Sequence, residues 1–142
     1  MMISSKGRYA LRVMIDLAEH YTGELIPMKD VAERQNISLK YIERILPALK
    51  QNGLIDAIHG KGGGYRLNRA PEEYTVGEIL RLTEGELTPV SCLEKNAKPC
   101  EFAPRCKTLP MWKDFYKKIN DYFDNITLPD LMQNGESGDY VI

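Results

Sequence analysis

The chain of 142 residues is 43% hydrophobic and 27% charged, a composition typical of a soluble globular protein with one ordinary domain, or a small domain with an appended helix. It holds no run of about 18 apolar residues, and its first residues lack the apolar core and cleavage site of a signal peptide. These features argue against a membrane protein and predict a cytoplasmic location, where structural disulfides are rare.

The net charge of −1 conceals an asymmetry along the chain. Residues 34–69 hold seven Lys and Arg against two acidic residues, whereas residues 70–142 hold eight against thirteen. We therefore expect the first block, with a net charge of +5, to meet an anion, and the second, with a net charge of −5, not to.

Three helices are predicted before residue 53. Apolar residues recur at helical spacing from Tyr9 to Tyr21, Pro27 opens a short second helix that ends at Asn36, and Ser38 is a good N-cap for a third. The third helix has one apolar and one basic face. Two short helices joined by a tight turn, the second basic, are typical of a helix-turn-helix, although a generic three-helix core is an alternative.

A glycine-rich hairpin is predicted directly after the third helix. Residues 54–58 and 65–67 read as strands, and the turn between them contains four glycines. A hairpin in this position is the wing of a winged helix, and its flexible tip can approach a phosphate closely. Lys61 and Arg66 supply positive charge there, and His59 can reach a minor groove. This array favours DNA binding over a generic helical core.

All three cysteines lie in one segment without helical or strand periodicity, residues 86–108. Cys92, Cys100 and Cys106 can converge as ligands of an iron–sulfur cluster or a soft metal, because thiolates suit both. A redox pair with one spare thiol, and three packing cysteines, are the alternatives. A loop of this length is usually functional or disordered.

Two helical segments flank this loop. Thr75 and Glu78 form a capping box that begins a connecting helix within residues 71–85. Residues 109–132 carry large apolar side chains at 3-4-3-4 spacing: Trp112, Phe115, Ile119, Tyr122 and Ile126. This pattern predicts a dimerisation helix, the alternative being a helix that covers the core of its own chain. Residues 133–142 are expected to form a flexible tail.

Four segments of the chain carry a family resemblance. They are residues 3–11 (ISSKGRYAL), 37–43 (ISLKYIE), 60–65 (GKGGGY) and 125–128 (NITL). Together and in this order they resemble the bacterial winged-helix regulators that include IscR, NsrR and CymR. The resemblance implies a mainly α fold: a winged helix-turn-helix domain in residues 1–70, with a two-stranded wing, and a long C-terminal dimerisation helix.

The resemblance also implies how DNA is bound. Two recognition helices of a homodimer enter major grooves of a near-palindromic operator, while the wings contact minor grooves. The implied DNA-binding residues are Ser38, Lys40, Tyr41, Glu43 and Arg44 on the recognition helix and His59, Lys61 and Arg66 on the wing. In IscR-like members the glutamate matching Glu43 influences which sites are bound. His59 stands where an arginine is usual, so DNA binding can become sensitive to pH.

Iron–sulfur members of the family hold their cluster with three cysteines placed as Cys92, Cys100 and Cys106 are here, and a [2Fe-2S] cluster is the type expected. In IscR a histidine three residues after the last cysteine completes the site, but this chain has Leu109 there. NsrR-like members use a residue of the partner's first helix near Arg8, which cannot be a ligand. The resemblance therefore leaves both the fourth ligand and the number of iron atoms in the cluster open.

The candidates for a fourth ligand are Glu94, Glu101, His20 and Glu24, a residue of the partner chain, a small thiol or water. The leading hypothesis is a dimeric DNA-binding regulator whose operator affinity is set by the cluster. The alternative is a regulator of the same fold that a partner enzyme controls, as in CymR-like members, or that responds to thiol redox state. No nucleophile–base pair or phosphate loop in the sequence indicates an enzyme.

Overall fold

A computed structural model describes residues 2–134. Its helices are α1 (Ser5–Glu19), α2 (Met28–Gln35), α3 (Leu39–Gln51), α4 (Val76–Glu84), α5 (Leu109–Asp124) and α6 (Leu128–Asn134), and its strands are β1 (Ile55–Ile58) and β2 (Gly64–Leu67). Within this range no helix combines the length and hydropathy that crossing a membrane requires. Most of the predicted tail, residues 135–142, lies outside the described residues.

The first three helices begin and end where local signals predict. The Ser4 hydroxyl accepts a hydrogen bond from the Gly7 amide, and the Ser38 hydroxyl accepts one from the Tyr41 amide, which caps α1 and α3. Asn36 ends α2 in the left-handed conformation, with φ of 53°. The apolar face of α3 is buried against α1 and α2, as predicted: Ile42, Ile45, Leu46 and Leu49.

A buried carboxylate joins α1 to α2, and sequence patterns did not reveal it. Asp16 is 2% exposed and accepts two hydrogen bonds from the Arg34 guanidinium, at 2.7 and 3.1 Å, and one from Gln35 Nε2 at 2.9 Å. The hydrogen bond to Asp16 raises the pKa of Arg34. Arg34 therefore serves the helix packing, and its charge is not free for an anion as the block of basic residues suggested.

The wing is a hairpin with a third, short partner. β1 and β2 pair antiparallel, with Ile55 opposite Leu67 and Ile58 opposite Gly64. Ile26, just before α2, pairs with Tyr65 on the other edge of β2 through two backbone hydrogen bonds of 2.7 and 2.9 Å. A Cβ at Gly64 would lie 2.7 Å from the Ile26 carbonyl oxygen, so this position requires glycine. The two predicted strands are confirmed, and the third segment is an addition.

α4, α5 and α6 form a second apolar cluster beside the winged helix. Val76, Leu80 and Leu87 are its buried centre, and side chains of α5 pack on it. The predicted single helix over residues 109–132 is two helices, because α5 ends at Asp124 and the Asp130 carboxylate accepts a hydrogen bond of 2.9 Å from the Thr127 amide at the start of α6.

Candidate nucleic-acid interface and metal centre

The solvent face of α3 is basic and its charges are available. Ser38, Lys40, Glu43 and Arg44 are exposed, and Tyr41 is half-buried. Within residues 2–134, the Lys40, Glu43 and Arg44 side chains take part in no ion pair. This face can therefore exchange water for an anionic or hydrogen-bonding partner without first breaking an internal salt bridge.

Tyr41 is fixed by a contact with α1. Its ring meets the edge of the Tyr9 ring at a centroid distance of 5.3 Å, and the Arg12 guanidinium lies 5.4 Å from the Tyr9 centroid. Arg12 also donates a hydrogen bond to the Gln35 carbonyl oxygen. Tyr9 and Arg12 of the first helix therefore support Tyr41 from behind, a contact that sequence patterns alone did not reveal.

A groove separates α3 from the wing. It has a volume of about 460 Å³ and is lined by α3 and wing residues: Glu43, Leu46, Pro47, Lys50, Gln51, His59 and Tyr65. The structure thereby brings together Glu43 and His59, which belong to two separate elements. His59 and Lys61 are exposed at the wing. A helix and a hairpin on either side of one groove can hold a nucleic-acid strand between them.

Arg66 differs from the other predicted DNA-binding residues. Its guanidinium donates a hydrogen bond of 2.9 Å to the Gly23 carbonyl oxygen, and its Nε lies 3.6 Å from the Asp56 carboxylate. These contacts stabilise the hairpin, since Asp56 stands directly opposite Arg66 in the β-ladder. Arg66 therefore offers less free charge at the wing than Lys61 does.

The three thiols line one cavity. Its volume is about 240 Å³, and Cys92, Cys100 and Cys106 share its wall with Leu93, Pro99, Ala103, Leu109 and Lys113. Short 3₁₀ helices at Ser91–Leu93 and Ala103–Arg105 position the first and the last cysteine. As these side chains lie, no three Cys, His, Asp or Glu groups in the described part of the chain are close enough to bind one metal ion.

The surroundings of Cys106 favour its thiolate form. The Thr108 hydroxyl lies 3.5 Å from its Sγ and, together with the Thr108 and Leu109 amides, lowers the pKa of the Cys106 thiol. Those amides belong to the beginning of α5, where the helix dipole also favours a negative charge. A set of three thiols with one such group fits an iron–sulfur cluster or a soft metal in its chemistry.

The structure separates most candidates for a fourth ligand from the cysteines. Leu109 and Lys113 of α5 are the side chains beside Cys106 in the cavity wall. His20 and Glu24 line a different cavity, next to the α1–α2 connection, and Glu94 faces a third. Among the described residues, the wall contains no carboxylate or imidazole, and Glu101 is not part of it.

The loop that carries the cysteines is attached to both neighbouring helices. Leu87 is buried beneath α5, and its carbonyl oxygen accepts a hydrogen bond of 3.0 Å from Asn120 Nδ2. Asn120 Oδ1 in turn accepts one of 2.7 Å from Arg81 of α4, and Arg81 also pairs with Asp124 at 2.7 Å. This network holds the start of the loop, α4 and α5 in a fixed arrangement.

The side chains of the predicted apolar seam differ in burial, with Trp112 half-buried on α5. Ile119 and Ile126 pack on the second apolar cluster of their own chain. Met111, Phe115 and Tyr122 form an exposed stripe, with 53%, 45% and 65% of their surface accessible. The spacing correctly predicted an apolar helix but did not show which of its side chains the same chain covers, since covered and exposed residues belong to one heptad-like pattern.

A helix-turn-helix with an exposed basic second helix, and a hairpin across a groove from it, define a winged-helix DNA-binding protein. The chain belongs to the Rrf2 family, described as iron-dependent transcriptional regulators, whose model matches residues 3–134. This membership confirms the predicted family, the mainly α winged-helix fold and the role as a DNA-binding transcriptional regulator.

Individual relatives include proteins named IscR and CymR. The chain is 38% identical to the HTH-type transcriptional regulator IscR of Erwinia tasmaniensis, over 96% of this chain and 81% of that protein. The solved structure of CymR, the global cysteine regulator of B. subtilis, is 34% identical with a TM-score of 0.78, covering 94% of this chain and 98% of that one. The T. potens IscR structure is 30% identical with a TM-score of 0.72, covering 100% and 93%.

Proposed function

We propose that this chain is a dimeric transcriptional regulator whose operator affinity is set by an iron–sulfur cluster held by Cys92, Cys100 and Cys106. The observation that carries the proposal is that three thiols, spread over fifteen residues, line a single cavity. The similarity to proteins named IscR and the iron-dependent description of the family support it. We place this regulator in the cytoplasm, where its DNA is.

The residues of the cavity are suited to hold thiolates. Cys106 is stabilised as a thiolate by Thr108 and the first amides of α5, and Lys113, one turn further along α5, offsets accumulated negative charge. Cys92 and Cys100 are exposed and Cys106 is half-buried, so the cavity is open to solvent. When bound, an iron–sulfur cluster supplies a redox-active centre whose properties depend on hydrogen bonds and solvent exposure.

Movement of the cysteine loop would be transmitted to α4 and α5. Holding Cys92 and Cys100 beside Cys106 constrains the loop from both ends, since Leu87 is tied to Asn120 at one end and Cys106 adjoins α5 at the other. We infer that this constraint alters the packing of α5, and with it the spacing of the two recognition helices in a dimer.

The dimer is proposed to form through the exposed stripe of Met111, Phe115 and Tyr122. Phe115→Glu should convert the dimer to a monomer, because burying an unpaired carboxylate at an apolar interface is strongly unfavourable. Sedimentation velocity measures the change. Lys117→Glu is the matched control, since Lys117 is exposed on the same helix and outside the stripe. A dimeric Phe115→Glu protein would show that the interface lies elsewhere.

In that dimer, the proposed contacts to a near-palindromic operator come from both sides of the groove. They are Ser38, Lys40, Tyr41, Glu43 and Arg44 from α3, and His59, Lys61 and Arg66 from the wing. Two copies of α3 related by a twofold axis would read two half-sites about one helical turn of DNA apart, or a multiple of it.

Anaerobic reconstitution with iron and sulfide tests the cluster. The protein is expected to become coloured and to hold iron and acid-labile sulfide in equal amounts, with the absorption spectrum of a [2Fe-2S] cluster. A protein that stays colourless and iron-free after this treatment contradicts the proposal.

A regulator of the same fold without a cluster is the second candidate. The similarity to CymR favours this candidate. The distances between the thiols favour it too, because within residues 2–134 no three Cys, His, Asp or Glu side chains are close enough to bind one metal ion. In that case a partner enzyme or the redox state of the thiols would set DNA affinity. A colourless protein whose DNA affinity changes with a thiol oxidant, or with a co-purifying enzyme, would establish this function instead.

A further inference from the structure

Tyr74 is wholly buried and its hydroxyl binds both ends of the wing. The hydroxyl donates a hydrogen bond of 2.7 Å to the Leu54 carbonyl oxygen, immediately before β1. It accepts hydrogen bonds of 3.2 Å from the Asn68 and Arg69 amides, immediately after β2. Asn68 Oδ1 lies 3.2 Å from the same hydroxyl as a second possible acceptor. The donor and acceptor positions of the hydroxyl are thereby filled, and its Leu54, Asn68 and Arg69 partners all lie at the base of the hairpin.

The backbone around Tyr74 is bound to the end of α5. The Tyr74 carbonyl oxygen accepts a hydrogen bond of 3.3 Å from the Leu128 amide, and the Val76 amide donates one of 2.9 Å to the Ile126 carbonyl oxygen. These bonds form a short antiparallel bridge at Thr75 and Thr127. Tyr74 therefore lies between the wing on its side-chain side and the α5–α6 connection on its backbone side.

The ring of Tyr74 also contacts the Arg69 side chain. The Arg69 guanidinium lies 4.2 Å from the ring centroid and pairs with the Glu78 carboxylate of α4 at 2.8 Å. Burial raises the pKa of the Tyr74 hydroxyl, so it stays protonated and able to donate near neutral pH. Because the side chain is inaccessible, water cannot easily replace the hydroxyl if it is removed.

We propose that Tyr74 is a positioning residue for DNA binding, whose hydroxyl fixes the wing relative to the C-terminal end of α5. This inference rests on the proposed contact of the wing with DNA. A shift of α5 would move the wing through Tyr74, in addition to moving the recognition helix. Both DNA-reading elements would therefore respond to the same change in the C-terminal helices.

Tyr74→Phe tests the proposal, because it removes the hydroxyl and keeps the ring. The Asn68 and Arg69 amides are expected to exchange with solvent about tenfold faster than in the wild type. DNA affinity is expected to fall about fivefold, with the dimer intact. Tyr116→Phe, which removes a tyrosine hydroxyl from α5, is the matched control and should leave both measurements unchanged.

A double-mutant cycle separates positioning from a general loss of stability. In a protein that already carries His59→Ala and Lys61→Ala at the wing tip, Tyr74→Phe should cause little further loss of DNA affinity. An equal loss in both backgrounds would mean a purely structural role and overturn the inference. If the wing-tip variant itself binds DNA like the wild type, the proposed wing contact fails. If only the wing-tip changes weaken binding, the inference fails and the proposed function stands.

A measurement on the wild type applies even if Tyr74→Phe does not fold. The Asn68 and Arg69 amides should exchange about as slowly as amides in the middle of α1, because they are bonded to a buried group. Exchange as fast as that of the Lys61 amide at the wing tip would show that the hydroxyl does not hold the wing, and would overturn the proposal.

Discussion

Cys106→Ala protein is expected to remain colourless after anaerobic reconstitution with iron and sulfide, with its iron content reduced more than tenfold. Cys106 joins the cavity to the first turn of α5, and the hydrogen bond from Thr108 together with the Thr108 and Leu109 amides lowers the pKa of its thiol, which favours the thiolate that binds metal. Two remaining thiols cannot hold a cluster as three do. Absorption spectra and iron and sulfide analysis measure the effect.

Ser91→Ala is the control for this experiment, because Ser91 lies next to Cys92 in the same 3₁₀ helix but not in the cavity wall. It should retain the wild-type spectrum. Cys92→Ala and Cys100→Ala should lose the cluster as Cys106→Ala does. Full iron incorporation into any one of the three variants would exclude that cysteine as a ligand.

Arg44→Ala is expected to lower DNA affinity about tenfold at moderate salt and to reduce the slope of log K against log salt by about one unit. The physical reason is that Arg44 is exposed on the recognition helix and, within residues 2–134, has no carboxylate partner. Its charge is therefore free to replace a condensed counterion on a phosphate. Fluorescence anisotropy over a salt series measures both quantities.

Lys117→Ala removes a positive charge on α5, away from α3 and the wing, and is the matched control. Lys117→Ala should leave the slope unchanged, because Lys117 is not among the proposed DNA contacts. Both variants lose one positive charge, so an effect of net charge alone would appear in both. Lys40→Ala should reduce the slope as Arg44→Ala does, because its side chain is also exposed and unpaired within residues 2–134. A wild-type slope in both α3 variants would mean that another surface binds DNA.

The DNA-reading half of the fold was predictable because its signals are local. The Ser38 cap, the left-handed Asn36 and the apolar face of α3 specify the second and third helices within a few residues. The glycine-rich turn specifies the hairpin equally well, since the strands on either side of it pair with each other. Each of these elements depends on neighbours in sequence rather than on distant contacts.

Features that depend on distant residues were missed. The pairing of Ile26 with Tyr65, the contact between Asp16 and Arg34, and the bonds of Tyr74 all join residues from different elements. The division of the α5 seam was missed for the same reason, because periodicity identifies apolar positions but does not show that Ile119 is covered by its own chain while Phe115 is exposed.

The cysteine site was predictable in part. The clustering of three thiols indicated a shared site, and all three do line one cavity. The sequence spacing of the cysteines could not predict the distances between the thiols in the fold, because these depend on how the loop is attached through Leu87 and Asn120. Nor could the sequence spacing show that His20 and Glu24 line a different cavity.

The central claim is that the state of the cysteine site sets DNA affinity. The most direct test compares the reconstituted and the cluster-free protein, under anaerobic conditions and at equal salt, on one duplex of about 30 base pairs selected by this protein from a random pool. We predict dissociation constants that differ by at least about tenfold, a coupling free energy in the usual allosteric range. Equal dissociation constants, with iron present in one sample and absent from the other, would contradict the account.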